Sequence, residues 1–307
     1  MNLSLCCISN ILAEQGHKFR TMTFKSFSSK PREESLNKLS EIVLNNFLVT
    51  EKIINHCAAS GIKGYRLSSD LTPVIKHPDV MLEISDLPNY ELIDAAIKDL
   101  SNTIKETGIR VSAHPSEYIT LTADDDTKIK HSIIDLELHG EIFDLLNLER
   151  SYYNPLNIHI RKEGDAEDLS NIFMRNYDKL SESVKSRLVL ENNDTGNTWT
   201  VNNLKRYFYD KYNIPITFDN LHHEMLNHDV SHKDAFFEAY STWPVIPIFH
   251  YSEGKNGTRA HSDMAENLPE NYNKDVLFDV ELKNKDYAIL DILERYGREI
   301  RAADPFS

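Results

Sequence analysis

The chain has few of the features that would place it in an oxidising compartment or in a membrane. Only three cysteines occur among 307 residues, and two of them, Cys6 and Cys7, are neighbours in an apolar run. Adjacent cysteines do not suit a disulfide framework, so we expect reduced thiols in an intracellular protein. No run approaches the roughly 18 apolar residues that a membrane helix needs. The first ten residues lack the basic start and apolar core of a signal peptide, so the expected compartment is the cytoplasm.

Positive charge is also scarce, with 34 Lys and Arg against 48 Asp and Glu and a formal net charge of −14. Taken alone, this balance argues against a nucleic-acid binder, because phosphate backbones favour basic surfaces. The argument is weak for a metalloenzyme, because divalent ions make their site locally positive. The chain has no Walker loop, no GxGxxG after its first apolar run and no GxSxG, so nucleotide-fold and serine-hydrolase classes have little support.

Eight short apolar runs rich in β-branched or aromatic residues recur along the chain without clean polar alternation. They span 3–9, 62–68, 109–114, 156–160, 187–192, 214–219, 245–251 and 276–282. Such runs are typical of strands that are buried on both faces of a parallel sheet. Helical spacing fills the intervals at 35–61, 90–108, 129–147, 169–186, 200–212, 234–243 and 286–300. Eight alternating units favour an α/β fold, a (β/α)8 TIM barrel formed by a single domain over 1–307, with a doubly wound open sheet as the alternative.

Local signals predict some of the element boundaries. Ser35 is expected to cap the first long helix, and Gly61 and Gly108 are expected to end two helices. The polar loop 253–275 follows the seventh run, where a barrel carries an active-site loop.

Ligand-type side chains concentrate where the predicted strands end. Nine residues share this placement over seven of the runs: His77, His114, His159, Glu191, Asp219, His222, His250, His261 and Glu281. The carboxyl ends of barrel strands meet at one face, so we expect these side chains to converge there. Imidazole and carboxylate groups are the usual ligands of zinc, manganese and iron. Such a cluster suits two or three divalent ions, the arrangement that serves phosphoryl chemistry.

Other histidines fall on predicted helices or outer loops. They are His56, His131, His139, His223, His228 and His232, and we expect them at the surface or behind the ligands. The stretch "IPITFDNLHHEMLNHD" therefore divides, with Asp219 and His222 as candidate ligands and His223, Glu224 and His228 outside the ligand set.

Short motifs in a fixed order carry a family resemblance. "YRLSSDLTP", "HPSEY", "NIHI", "LENND", "FDNLHH", "FHYS", "HSD" and "VELK" occur in this order between about residues 3 and 290. This ordered set resembles the UV damage endonuclease family of the xylose isomerase-like TIM-barrel superfamily. The resemblance implies a barrel that uses two or three divalent ions, typically manganese, to cut DNA immediately 5′ to a lesion. Zinc, iron, magnesium or cobalt are alternative metals.

The resemblance implies metal ligation by the same nine residues, and we expect Glu191, Asp219, Glu281 and His250 to act in catalysis. Candidate contacts to DNA or to the lesion are Glu117, Tyr118, Arg66, Lys76, Arg161, Lys162, Lys255 and Arg259. The expected partner is damaged double-stranded DNA, bound by a monomer that does not associate with membranes.

The chain departs from the family pattern at several positions. Glu117 stands where the family has Gln in its damage-probing pair, and Leu5 stands where it commonly has Tyr or Phe. Ile248 replaces a Lys that can be carboxylated to bridge metals, and Arg161 and Lys162 replace a Gly pair.

Three other functional hypotheses stay open at this point. One is a nuclease like the type IV abasic-site endonucleases. Another is a metal-dependent sugar isomerase or epimerase on the same barrel, and the third is a non-catalytic DNA-binding relative.

Overall fold

Eight parallel strands form the centre of the molecule. The computed structural model describes residues 1–116, 118–226 and 230–303. Its strands are β1 (Asn2–Cys6), β2 (Gly64–Leu67), β3 (Arg110–Ala113), β4 (Leu156–His159), β5 (Leu188–Glu191), β6 (Ile216–Thr217), β7 (Ile248–Tyr251) and β8 (Leu277–Val280). Seven of the strands lie inside a predicted run and β1 begins one residue before its run, because a continuous apolar segment is stable only where both faces of the strand are covered.

The strand order closes the sheet on itself into a barrel. Neighbouring strands follow the order β6-β5-β4-β3-β2-β1-β8-β7, and every pair is parallel. The remaining gap is bridged where the His250 amide donates to the Phe218 carbonyl at 2.9 Å and Asp219 pairs with His250. The TIM barrel prediction is confirmed, and the open-sheet alternative is wrong.

Helices fill the intervals between strands and cover the outside of the barrel. They are α1 (Asn10–Glu14), α2 (Phe24–Ser28), α3 (Arg32–Ala59), α4 (Tyr90–Thr107), α5 (Asp126–Leu145), α6 (Ala166–Tyr177), α7 (Glu182–Lys185), α8 (Val201–Leu204), a π-helical turn (Lys205–Tyr209), α9 (Asp210–Tyr212), α10 (Asn220–Met225), α11 (His232–Tyr240) and α12 (Asp286–Ala303). Three short 3-10 turns lie at Ser69–Leu71, Ile84–Asp86 and Lys255–Gly257. None of the helices in these described ranges combines the length and apolar character that crossing a bilayer requires.

Two boundary predictions are wrong for identifiable reasons. Ser35 does not cap α3, because the helix begins three residues earlier after Pro31, and the buried Ser35 hydroxyl donates to the Phe27 carbonyl at 2.6 Å. The single helix expected over 169–186 is two helices, because Ser181 adopts an extended conformation between α6 and α7. Gly108 does end α4 in a left-handed conformation, as expected.

The cysteines are free thiols, as the sequence predicts. Cys6 and Cys57 are buried, and burial raises the pKa of Cys57 to about 12, so its thiol stays protonated and unreactive near neutral pH.

Candidate metal centre

Seven of the nine predicted ligands meet inside the carboxyl end of the barrel. They form three overlapping groups: His114 with Glu191 and His250, His159 with Glu191 and His222, and Asp219 with His250 and Glu281. Within each group the candidate ligand atoms lie within 4.8 Å of one another. Glu191 and His250 each belong to two groups, so the groups form one continuous cluster.

Glu191, at the end of β5, is the centre of this cluster. Its side chain is 1% exposed, and its Oε2 lies 3.1 Å from Nε2 of His114 and 3.1 Å from Nδ1 of His250. Its Oε1 lies 3.1 Å from Nδ1 of His222. Because the contacts come from strands and loops around the barrel, one carboxylate connects side chains that are far apart in sequence.

The two carboxylate oxygens of Asp219 have different roles, one in capping a helix and one in the cluster. As the N-cap of α10, its Oδ1 accepts a hydrogen bond from the His222 amide at 2.8 Å. Its Oδ2 is turned toward the cluster, 3.8 Å from Nδ1 of His250. The three-residue spacing of "DNLH" therefore places a carboxylate and an imidazole together, because a capping residue and the third residue of a helix are neighbours.

Glu281 closes the cluster from the side of β8. Its carboxylate forms an ion pair with Arg66 of β2 and lies 3.5 Å from Nδ1 of His250. His261, from the long loop after β7, reaches within 3.7 Å of Glu281 and is 30% exposed. His261 therefore lies at the solvent-facing margin of the cluster.

The electrostatics of the cluster attract positive charge. Burial lowers the pKa of His159 to about 3, so this imidazole is neutral and able to bind a metal. Burial opposes protonation of His250 too, but the carboxylates of Glu191 and Glu281 raise its pKa to about 9. The pKa of His222 also rises well above its usual range, since Asp219 and Glu191 outweigh burial. The carboxylates that favour a proton on these two imidazoles would equally favour a metal cation beside them.

The donor set fits a divalent metal. Oδ2 of Asp219 is buried, and within the described ranges it has no hydrogen-bond partner. A buried polar atom without a partner is costly, so this oxygen, which is turned toward the cluster, indicates a missing ligand. Mixed imidazole and carboxylate donors suit manganese, iron or zinc.

Three asparagines that were not predicted as site residues contact the candidate ligands. Asn157 donates to Oε2 of Glu191. Asn193 lies 3.2 Å from Nδ1 of His159. Asn192 exchanges hydrogen bonds with the backbone of Asp219 at 2.9 and 3.1 Å. Strand alternation could have found Asn157, because it lies two residues before His159 and so shares the inner face of β4.

Some predicted positions lie elsewhere. In the described part of the chain His77 belongs to none of the three groups, and its ring stacks on Phe24 with centroids 4.0 Å apart. His139 and His223 are buried rather than at the surface, each 8% exposed, because helical and loop packing covers them. His228 lies outside the described residues.

Most of the predicted DNA contacts are engaged with carboxylates. Arg66 pairs with Glu281 inside the barrel, as described above. The others pair as follows: Lys76 with Glu83 and Glu141, Lys162 with Asp124, Lys255 with Asp263 at 3.1 Å, and Arg259 with Asp194 at 3.6 Å. These pairs lie at or near the surface, where each contributes little stability and can exchange for a phosphate.

Tyr118 and Arg161 line one surface cleft, together with Lys128 and His131. The Tyr118 side chain is 81% exposed, so the packing of the fold does not require it. Glu117 lies outside the described residues. At the other departures from the family pattern, Leu5 and Ile248 are 0% and 2% exposed and pack as core residues.

A parallel barrel whose strand ends bring imidazoles and carboxylates together defines the class of metal-centre TIM barrels. Comparison with known proteins narrows this class. The model of the UV-endonuclease UvdE family matches residues 1–304, and the chain belongs to this family.

Individual relatives agree with the family assignment. The chain is 31% identical over 295 residues to a UV DNA damage endonuclease of Bacillus cereus (strain Q1), covering 89% of this chain and 88% of the relative. It is 29% identical over 301 residues to a UV DNA damage endonuclease of Nostoc sp., covering 94% and 88%. Among solved structures, SacUVDE matches with a TM-score of 0.81 and 26% identity over 97% of this chain and 99% of that chain.

Proposed function

We propose that this protein is a divalent-metal-dependent endonuclease that recognises UV damage in double-stranded DNA and cuts the strand immediately 5′ to the lesion. The observation that carries the proposal is the overlapping set of seven imidazoles and carboxylates, four of them buried, in a member of the UvdE family. Metal dependence is part of the proposal, because the donor atoms suit divalent ions and Oδ2 of Asp219 has no hydrogen-bond partner in the described ranges.

We propose as ligands His114, His159, Glu191, Asp219, His222, His250 and Glu281, with His261 at the margin. These residues would hold two or three ions, preferably manganese, and Glu191 belongs to two of the groups that could each hold one. Zinc, iron, magnesium and cobalt are the alternatives. Ligation by His77 stays a prediction from the sequence alone.

When bound, divalent ions supply activation of water and stabilisation of the charge that develops on the phosphodiester. The protein residues hold the geometry. Asn157 orients Glu191, and the N-cap contact of Asp219 fixes one carboxylate oxygen so that the other is available. Arg66 compensates the negative charge of Glu281 and keeps it ionised, since the pKa of Glu281 is lowered below its usual range by Arg66 and His250 although burial opposes this. We propose Glu191, Asp219, Glu281 and His250 as the residues that act in catalysis.

The DNA-binding face lies around the same end of the barrel. Tyr118 is proposed to stack on bases at the damaged step, where unstacking costs least. Arg161, Lys162, Lys255 and Arg259 are proposed phosphate contacts, and Lys76 and Glu117 remain candidates from the sequence. Exchange of carboxylate partners for phosphates would reconcile DNA binding with the net charge of −14.

The proposal is tested by nicking of a UV-irradiated duplex against the same undamaged duplex, with Mn²⁺ added or chelated. The proposal predicts incision of the irradiated strand with Mn²⁺ only. Equal cutting of both duplexes would contradict the proposed specificity for damaged DNA. Cutting an abasic site but not a photoproduct would favour an abasic-site endonuclease instead.

We also propose that the chain acts as one domain over 1–307, as a cytoplasmic monomer. The family match over 1–304 supports a single functional unit. Light scattering after gel filtration tests the monomer, because a dimer would have twice the 35.4 kDa chain mass.

A further inference from the structure

Two of the clustered histidines turn Nε2 toward Glu191 and have Nδ1 held by another oxygen. Nδ1 of His114 lies 2.9 Å from the Pro115 carbonyl, and Nδ1 of His159 lies 3.2 Å from Oδ1 of Asn193. An acceptor at one ring nitrogen places the proton there and leaves the other nitrogen to bind a metal, which fixes both tautomer and ring orientation.

His250 is reversed relative to these two. Its Nδ1 faces the carboxylates, 3.1 Å from Glu191, 3.5 Å from Glu281 and 3.8 Å from Asp219. Its Nε2 points the other way, toward Oδ2 of Asp279 at 3.9 Å. His250 and Asp279 are direct partners in the register of β7 and β8, so the backbone holds the two side chains beside each other.

Asp279 is an unusual group for a barrel interior. The residue is 1% exposed, and its Oδ1 has no hydrogen-bond partner within the described ranges. Its Oδ2 accepts from the Ser112 hydroxyl at 3.1 Å, which aims that oxygen. The buried guanidinium groups nearby are engaged elsewhere: Arg66 with Glu281, and Arg110 with backbone carbonyls, including that of Tyr153 at 2.6 Å. A buried carboxylate with so few partners costs stability, so it calls for a function.

We propose that Asp279 is a positioning residue that accepts from Nε2–H of His250 and so directs Nδ1 of His250 into the metal centre. This inference rests on the proposed metal centre and deepens it. Asp279 would do for His250 what Pro115 and Asn193 do for His114 and His159. Because Oδ2 is already aimed by Ser112, only a small movement of the imidazole is needed to close the 3.9 Å separation.

The first test is a double-mutant cycle with Mn²⁺ affinity as the readout, measured by titration calorimetry on the full chain. Asp279→Ala, which removes the acceptor, should weaken Mn²⁺ binding by about 10-fold to 100-fold, but should weaken it no further in a His250→Ala background. The matched control is Ser4→Ala, because Ser4 is the register partner of Asp279 on β1 and has no contact with His250 among those described. This control should keep native affinity. An equal loss with and without His250, or no loss in Asp279→Ala, would overturn the inference.

The second test uses the unaltered protein and so does not depend on a variant that folds. In protein labelled with ¹⁵N-histidine and loaded with diamagnetic Zn²⁺, the His250 resonances should show a protonated Nε2 and a metal-bound Nδ1. His114 and His159 should show the opposite pattern. Metal bound through Nε2 of His250 would overturn the inference while leaving the proposed function intact. A native protein that binds neither Mn²⁺ nor Zn²⁺ would instead contradict the proposed metal centre, and the inference with it.

Discussion

The Glu191→Gln substitution tests how many of the proposed metal sites depend on Glu191. Glu191 belongs to two of the three ligand groups, and the third group, Asp219 with His250 and Glu281, does not include it. The variant should therefore lose up to two sites and keep one. A site filled at 100 times its Kd stabilises the folded state by about 2.7 kcal/mol, so two sites amount to about 5 kcal/mol. At roughly 2 °C per kcal/mol for a chain of this size, the Mn²⁺-induced rise in Tm should fall by roughly 10 °C.

The assay is the difference in Tm with Mn²⁺ and with chelator, measured for each protein by calorimetry alongside metal stoichiometry. Comparing each protein with itself removes the effect of the substitution on the metal-free fold. Glu106→Gln is the matched control, since Glu106 is exposed near the end of α4, just before β3 begins, and so lies toward the amino end of the barrel, away from the carboxyl ends of the strands. An undiminished Mn²⁺ response together with full nicking activity in Glu191→Gln would refute the reasoning.

Three further outcomes are expected. Tyr118→Ala should leave Tm unchanged, because the side chain is 81% exposed. It should reduce the preference for irradiated over undamaged DNA by roughly 1–3 kcal/mol, the range of base–aromatic stacking. A lowered Tm with a normal preference would contradict this prediction. Asp124→Asn should tighten DNA binding about twofold to fivefold in a filter-binding or anisotropy assay, because it releases Lys162 from an exposed ion pair, and weaker binding would contradict the proposed role of Lys162. Arg187→Ala should lower the free energy of unfolding by about 3 kcal/mol in urea melts. The reason is that the fully buried guanidinium donates a hydrogen bond to the Leu148 carbonyl at 2.7 Å and pairs with Asp144 at 3.0 Å. A loss below about 1 kcal/mol would show that these groups find other partners.

The strands and the position of the site could be predicted from the sequence because both follow from local rules. A barrel strand is buried on both faces, so its sequence is a continuous apolar run. The run 187–192, for example, contains all of β5. Parallel strands end at one face, so Glu191, Asp219 and His250 could be expected together without knowing any distance.

Side chains whose partners come from loops could not be predicted in the same way. His77 stacks on Phe24, and Lys162 pairs with Asp124, because the loops that carry them fold over neighbouring segments. Neither contact leaves a periodic signal in the sequence. The division of 169–186 into two helices has the same origin, since Ser181 leaves the helical conformation in response to its surroundings.

Asp279 was missed for a different reason. An acidic residue within the apolar run 276–282 gives no sign of whether it faces solvent or the interior, although its two-residue spacing from Glu281 places both on one face of β8. Only the register with His250 and the absence of a partner for Oδ1 in the described ranges reveal its setting.

Nicking of a duplex with a single defined photoproduct tests the central claim most directly. The metal-loaded native protein should cut the damaged strand at the phosphodiester immediately 5′ to the lesion, should not cut the undamaged duplex, and should lose this activity both with chelator and in Glu191→Gln. Bound metal with no cleavage of the damaged strand, or cleavage that is the same in Glu191→Gln, would contradict the account.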